Sequence, residues 1–319
     1  MQKRNSKIPS RSSERDFHMR LLTILCILFT QLHVAAQDTP YVMVLGTAQD
    51  GGYPHIGCNR QCCSLAWKNP AAQRYVVSLA LVDPKENQWW LVEATPDIKA
   101  QLHLFQEKTK GRYPFLPKGI LLSHAHMGHY TGLMQLGREA LNTKAVTVYV
   151  LPKMAAFLKA NGPWSQLVQL NNISIAPITA DSLVNLSDNW RFRAMTVPHR
   201  DEFSETAGFS LQSKNKRYLF IPDTDKWEKM LIPVQELVAQ HELAFLDATF
   251  LSAEELAYRN IREVPHPFVQ ETMQLIPAAL SSKVCFIHFN HTNPLLWDQA
   301  SKNMVTKKGF LIATQGAVY

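Results

Sequence analysis

GILLSHAHMGH, residues 119–129, is the stretch that decides the fold, because an apolar strand-like run leads directly into three histidines. His124 and His126 fall on one face of an extended chain, since side chains alternate with a period of two. Gly128 is predicted to supply the backbone freedom for a turn that brings His129 back toward them. Neutral imidazole is the commonest metal ligand near neutral pH, so this stretch predicts a metal-binding loop at the end of a strand.

The three histidines resemble the signature of the metallo-β-lactamase superfamily, His-x-His-x-Asp-His. The chain departs from it at Gly128, where the family usually has aspartate. The resemblance covers roughly residues 41–295, and its motifs occur in the family's order. The stretch 284–294 and the early Gly-Gly-x-Pro turn look most like the branch of pyrroloquinoline quinone biosynthesis protein B.

Strand-like runs first pair locally along the chain and then alternate with helical patterns. That order indicates a mixed α and β protein. The resemblance implies more, namely an α+β fold built as a four-layer αββα sandwich. Residues 76–82 and 88–93 are predicted to form a hairpin, and residues 131–142 and 227–240 are predicted to be helices.

The N-terminal residues differ in character from the remainder of the chain. The formal net charge is +7, and residues 1–20 contribute +4 of it, so the rest is nearly balanced and indicates no nucleic-acid partner. A short apolar run follows and ends in small residues. We therefore expect a signal peptide or N-terminal anchor at 1–36, one metallo-β-lactamase-like domain at 37–319, and an exported, periplasmic or secreted protein, anchored to a membrane only through the N-terminal segment.

The resemblance implies a two-ion centre. Its first site would use His124, His126 and His199, its second site His129 and His288, and Asp223 would bridge the two. The alternatives that the sequence leaves open are Asp225 for Asp223 and His291 for His288. Gly128 cannot bind a metal, so we expect a second site of weakened affinity, with one or two zinc ions in all. Iron is the alternative metal.

Three functions are compatible with these residues. In the first, a zinc-dependent hydrolase acts on an ester, lactone, amide or phosphodiester of a small-molecule substrate, since three imidazoles with an open position let zinc lower the pKa of water to about 7. Asp223 would orient the nucleophile, and His266 would protonate the leaving group. In the second, His129, His288 and Asp223 form a two-histidine, one-carboxylate face that binds iron for oxygen chemistry. The third is a metal-binding carrier without catalysis. The family often forms homodimers.

Cys58, Cys62 and Cys63 form a cluster with His55 nearby. The spacing is compatible with a small structural metal site, and in an oxidising compartment it is equally compatible with one disulfide. Asp50 and Tyr53 lie with His55 on the Gly-rich loop after the first strand, where they are candidates to face the site.

Overall fold

The computed structural model describes residues 39–256 and 264–319. The expected signal peptide or anchor at 1–36 lies outside these residues. No helix within them has the length and apolar character needed to cross a membrane.

The first sheet contains six strands in sequence order. Its first three strands are antiparallel neighbours, as the predicted hairpin requires, and its last three are added in parallel. The strands are β1 (Tyr41–Gly46), β2 (Ser78–Asp83), β3 (Gln88–Val92), β4 (Gly119–Leu121), β5 (Val146–Val150) and β6 (Ile173–Pro177).

The second sheet contains seven strands in the order β13-β12-β11-β10-β9-β8-β7. The strands from β7 to β10 are antiparallel neighbours, whereas those from β10 to β13 are parallel. They are β7 (Leu183–Asn185), β8 (Trp190–Val197), β9 (Thr206–Ser213), β10 (Arg217–Ile221), β11 (Leu243–Asp247), β12 (Val284–Ile287) and β13 (Leu311–Ile312).

Helices cover the outer faces of the two sheets. Strand β1 shows the layering: Val42 and Val44 point into the core between the sheets, while Met43 and Leu45 pack in the outer core that contains Phe105 of a covering helix. The predicted four-layer αββα sandwich is therefore confirmed. The helices are α1 (Gln61–Lys68), α2 (Ile98–Thr109), α3 (Met127–Tyr130), α4 (Pro152–Ala160), α5 (Trp164–Gln169), α6 (Val234–Ala239), α7 (Val269–Leu275) and α8 (Gln299–Lys307).

Two predicted helices are shorter than expected. Between 227 and 240 there is a 3₁₀ turn at Trp227–Lys229 and then only α6, because Pro233 has no N–H to donate and disfavours helix in the residue before it. Between 131 and 142 only the 3₁₀ segment Thr131–Leu136 forms, and it ends at an extended Gly137. The apolar spacing was correct in both places, but turn chemistry ended the helix.

The strand ends position the functional site. Strands β10, β11 and β12 are parallel, and β8 runs in the same direction because the antiparallel β9 lies between it and β10. The residues that follow these four strands therefore meet at one edge of the sheet. The first sheet contributes the residues after β1 and β4 to the same place, as the contacts below show.

Candidate metal centre

Asp223 lies at the middle of the centre, two residues past the end of β10, with its side chain 2% exposed. Its Oδ2 atom is 3.2 Å from His199 Nε2 and 3.3 Å from His124 Nε2. His129 Nε2 and His126 Nδ1 lie at 3.7 and 3.9 Å from the same oxygen. The structure thus brings four of the predicted histidines around one carboxylate oxygen.

The polar atoms at the middle of this cluster lack ordinary partners. The ring nitrogens His124 Nε2, His129 Nε2 and His288 Nε2 and the carboxylate oxygen Asp223 Oδ1 are buried, and none has a hydrogen-bond partner among the described residues. Buried polar groups are normally hydrogen-bonded, because an unpaired one costs about 1–3 kcal/mol. Convergent imidazoles and carboxylates with free lone pairs therefore fit a divalent cation of the zinc type.

The opposite nitrogens of these rings do have neighbours. His124 Nδ1 lies 2.8 Å from Ser123 Oγ, and His126 Nε2 lies 3.1 Å from Glu202 Oε2. His288 Nδ1 lies 3.0 Å from Thr249 Oγ1. A partner on the far nitrogen fixes the ring's orientation and leaves the other nitrogen free to bind a metal. His288 also has a left-handed backbone with φ of 67°, a conformation that non-glycine residues adopt mainly at functional or strained positions.

Two geometric groups of potential ligands contain the histidines predicted for the two sites. The first contains His124, His126, His199 and Asp223. The second contains His129 and His288, and its third member is Asp50 from the loop after β1. We call His124, His126 and His199 the first half of the centre and Asp50, His129 and His288 the second half, with Asp223 between them.

Gly128 does not act as the sequence suggested. Residues 127–130 form the short helix α3, and Gly128 is absent from the positive-φ glycines of the described chain, so no unusual turn depends on it. The requirement for glycine is instead steric. A Cβ atom at this position would lie 2.1 Å from Asp50 Oδ1.

His266 lies beside the centre and faces two buried carboxylates. Its Nδ1 atom is 2.9 Å from Asp247 Oδ2 and 3.3 Å from Asp223 Oδ1. Burial opposes the charged imidazole, but the carboxylates of Asp247 and Asp223 outweigh it and raise the pKa of His266 to about 9. A positioned imidazole that holds a proton at neutral pH is suited to general-acid work. The contact of Asp247 with His266 was not foreseen from the sequence.

The structure also distinguishes the alternatives that the sequence left open. Asp225 lies apart from these groups, with its Oδ2 at 2.6 Å from Lys229 Nζ and its Oδ1 accepting from the Lys226 N–H. His288 belongs to the cluster around Asp223, whereas His291 joins the cysteines instead.

The cysteine cluster gains a fourth member that the sequence did not indicate. Cys63 Sγ lies 3.4 Å from His291 Nδ1, and Cys58, Cys62, Cys63 and His291 form one compact group of potential ligand atoms. These cysteines are free thiols, and Cys58 Sγ is 4.0 Å from Cys62 Sγ. Three thiols and an imidazole suit a structural zinc site better than the disulfide alternative. His55 contributes its backbone N–H to Cys63 Sγ, and its ring stacks on His291.

A cavity of about 860 Å³ lies next to His266. Its described lining includes Arg200, which follows His199 directly, and Arg60 from the loop that carries the cysteines. Glu255 also lines it, but its carboxylate accepts hydrogen bonds from Leu251 N and Thr292 Oγ1, and burial raises its pKa. The cavity therefore offers positive charge beside the cluster. The other described lining residues are Gln49, His55, Phe250, Leu256, Val264, Pro265, Asn290, His291 and Thr292.

A four-layer αββα sandwich with a His/Asp cluster where the strands of both sheets end defines a metallo-β-lactamase fold. Comparison with known families agrees, since the family model described as "Beta-lactamase superfamily domain" matches residues 88–289. The chain belongs to this superfamily, in the branch that resembles coenzyme PQQ synthesis protein B.

The similar proteins extend over nearly the whole chain. Coenzyme PQQ synthesis protein B of Methylorubrum extorquens (strain PA1) is 23% identical over 301 residues, covering 86% of this chain and 98% of its own. The protein of the same name from Pseudomonas protegens is 25% identical over 311 residues, with the same coverage of both chains.

Two solved structures share the fold. Zn(2+)-bound PqqB from Methylobacterium extorquens has a TM-score of 0.72 at 21% identity and covers 88% of this chain and 99% of its own. A diphosphatase from the PhnP family has a TM-score of 0.64 at 18% identity, covering 88% of this chain and 96% of its own. At these identities the likeness establishes the fold alone.

Proposed function

We propose that the protein is a metal-dependent hydrolase whose substrate is a small anionic ester, namely a phosphodiester. The observation that carries this proposal is the arrangement of His124, His126, His199 and Asp223 as a buried ligand group, with His266 between that group and the cavity. Three neutral imidazoles with a carboxylate are the ligand set of hydrolytic zinc sites. A zinc ion held there would supply Lewis acidity and lower the pKa of water to about 7.

The protein's own groups would then divide the work. His266 would donate a proton to the leaving oxygen, and Asp247 would hold that imidazole in place and keep it charged. Arg200 and Arg60 line the cavity and would bind an anionic substrate, since guanidinium groups match the geometry of phosphate oxygens. Ester, lactone and amide substrates that carry no charge would gain nothing from these arginines.

The experiment is a substrate screen with a matched pair of variants. A dialkyl phosphate, whose alkoxide leaving group needs a proton, is compared with a neutral alkyl ester, using wild type, His266→Gln and Gln270→Ala, where Gln270 is an exposed residue of α7 near His266 in sequence. We expect His266→Gln to lower kcat on the phosphodiester roughly 100-fold to 10,000-fold without changing the metal content. Gln270→Ala should retain full activity.

Preference for the neutral ester, or an unchanged kcat in His266→Gln, would contradict this proposal. Hydrolysis of neither substrate by protein that still binds metal would favour the metal-binding carrier instead.

A second candidate function rests on a different observation. Asp50, His129 and His288 form a two-histidine, one-carboxylate set, which suits non-haem iron and oxygen chemistry. The chain is also similar to coenzyme PQQ synthesis protein B, whose name points to the synthesis of a coenzyme rather than to hydrolysis. Turnover should then require Fe(II) and oxygen, and full activity under strictly anaerobic conditions would exclude it.

Export through residues 1–36 stays a prediction, to be tested by N-terminal sequencing of the mature protein.

A further inference from the structure

Asp50 occupies the space that a side chain at position 128 would need. A Cβ atom built on Gly128 would lie 2.1 Å from Asp50 Oδ1, 2.6 Å from its Cα and 2.9 Å from its Cγ. The contact with Cα means that a rotation of the Asp50 side chain alone would not relieve the clash, so the backbone would have to move. Asp50 in its present position and a larger residue at 128 therefore exclude one another.

The Asp50 carboxylate points at the second half of the centre. Its Oδ1 atom is 3.4 Å from His129 Nε2, and both atoms are buried without a hydrogen-bond partner among the described residues. His288 Nε2 has the same property and lies within the same group. The three residues thus present three unpaired ligand atoms to one point, which is the arrangement left by a metal ion's ligand shell.

The ring of His129 is oriented for this role from its other side. Its Nδ1 atom lies 3.6 Å from Glu93 Oε2 and 3.5 Å from Ser123 Oγ, and Glu93 is fully buried. A buried carboxylate near Nδ1 favours the proton on that nitrogen, which leaves the Nε2 lone pair free toward Asp50.

The loop that carries Asp50 is joined to the segment that carries His288. Phe289 donates its N–H to Thr47 O at 2.8 Å, and Gln49 donates its N–H to Phe289 O at 2.9 Å. Gly52, with φ of +69°, closes the loop through a hydrogen bond from its N–H to Gln49 O. Because these bonds flank Asp50 and His288 directly, the two side chains are held together by backbone contacts.

From these contacts we infer that Asp50 is the terminal carboxylate ligand of a second divalent cation, bound with His129, His288 and the shared Asp223. Asp50 would thus supply the carboxylate that the aspartate of the superfamily signature supplies at position 128. Glycine at position 128 leaves the space that the Asp50 side chain occupies. This inference rests on the metal centre of the proposed function. It replaces the expectation that Gly128 leaves the second site short of one ligand and weakened in affinity, and zinc suits two imidazoles and two carboxylates.

The test is zinc binding rather than activity. Metal-free wild type, Asp50→Asn, Asp50→Gly, Gly128→Asp and the double variant Asp50→Gly/Gly128→Asp are titrated with zinc against a chromophoric chelator. Bound metal is then counted by elemental mass spectrometry. Each count is compared with wild type, so that zinc on the cysteine cluster cancels. Gln49→Ala is the matched control on the same loop, and circular dichroism checks the fold.

We expect Asp50→Asn and Asp50→Gly each to lose one equivalent, or to bind it more than ~100-fold more weakly, because a ligand contributes more than the outer contacts that already cost 10-fold to 100-fold. The double variant should regain that equivalent, while Gly128→Asp alone should not retain it. Gln49→Ala should match wild type.

Three results would overturn the inference: Asp50→Asn keeping the wild-type count and affinity, a double variant no better than Asp50→Gly, or a wild type with one ion at this centre at every zinc concentration. Failure of the proposed function would look different, since His126→Ala would then bind as much zinc as wild type.

Discussion

The two halves of the His/Asp centre are assembled in different ways. In the first half, His124 and His126 lie on the segment between β4 and α3, and His199 lies shortly after β8. In the second half, His288 directly follows β12 but has a left-handed backbone, His129 sits on the short helix α3, and Asp50 comes from an irregular loop. The first half comes from segments that leave strands, whereas the second also needs the short helix α3 and the packing of the Asp50 loop against the segment after β12.

That difference decides which half is the more vulnerable. Strand ends within a sheet are held by ladder hydrogen bonds and by the buried core, while a loop opens more easily because fewer buried contacts hold it. The second half should therefore lose its ion first whenever the loops are disturbed. Each prediction below tests either this asymmetry or the carboxylate that joins the halves.

The largest effect is expected from Asp223→Asn, which should remove the bound ions from both halves of the centre alike. Four imidazoles approach Asp223 Oδ2 within 3.9 Å, so its charge serves both sites. We expect both ions to be lost from the purified protein and hydrolysis to fall to background, measured by elemental mass spectrometry and the phosphodiester assay. The imidazoles around Asp223 lower its pKa well below the ordinary range, although burial alone would raise it.

Retention of one ion by Asp223→Asn would show that one half binds metal independently of the shared carboxylate. The identity of the retained ion would be established by adding His126→Ala or His129→Ala to the variant. Circular dichroism of the metal-free proteins controls for folding.

The sequence predicts the first half of the centre well because its information is local. The apolar run 119–123 contains the buried strand β4, and the period of two expected for an extended chain predicted that His124 and His126 lie together. The family resemblance supplied His199, Asp223 and His288, which the structure brings to the same place. The fold class followed from the same resemblance and is confirmed.

The second half and the cysteine cluster are not readable from spacing in the same way. Asp50 and Gly128 are far apart in the chain, and only their contact in the folded protein explains both. His291 joins Cys63 for the same kind of reason, although proximity in sequence had suggested His55. The single helix predicted at 227–240 was wrong for a local reason. The apolar spacing continues through Pro233, but the helix begins only after this proline.

An intermediate effect is expected from Cys63→Ser, which should lower the zinc affinity of the second half much more than that of the first half. Cys63 Sγ accepts from the His55 N–H at 3.3 Å and lies 3.4 Å from His291 Nδ1, so it joins the loop that carries Asp50 to the segment after His288. Loosening that connection should weaken the second ion by about 10-fold to 100-fold, as outer contacts of metal ligands do, while the first ion changes little. Zinc titration against a chelator measures both affinities.

The matched control is Cys285→Ser, because Cys285 is a fully buried thiol in β12 whose neighbour is the Tyr319 hydroxyl. Cys285→Ser should lower the free energy of unfolding, but it should not weaken zinc binding in one half of the centre more than in the other. Equal weakening of both ions in Cys63→Ser would mean that the cysteine cluster supports the whole domain rather than the second half.

The smallest effect is expected from Asp225→Asn, which tests whether the centre ends at Asp223. Asp225 follows the same strand, but its carboxylate contacts Lys229 Nζ and the Lys226 N–H, and the Lys229 side chain is 55% exposed. An exposed ion pair of this kind contributes about 0–1 kcal/mol, so the free energy of unfolding from urea titration should fall by no more than that. Zinc content and kcat should equal those of wild type. Asp223→Asn makes the same chemical change two residues earlier and is the matched comparison. Any loss of zinc in Asp225→Asn would show that both carboxylates of the segment 223–225 support metal binding. Asp223 would then not be the one acidic residue after β10 on which the two halves depend.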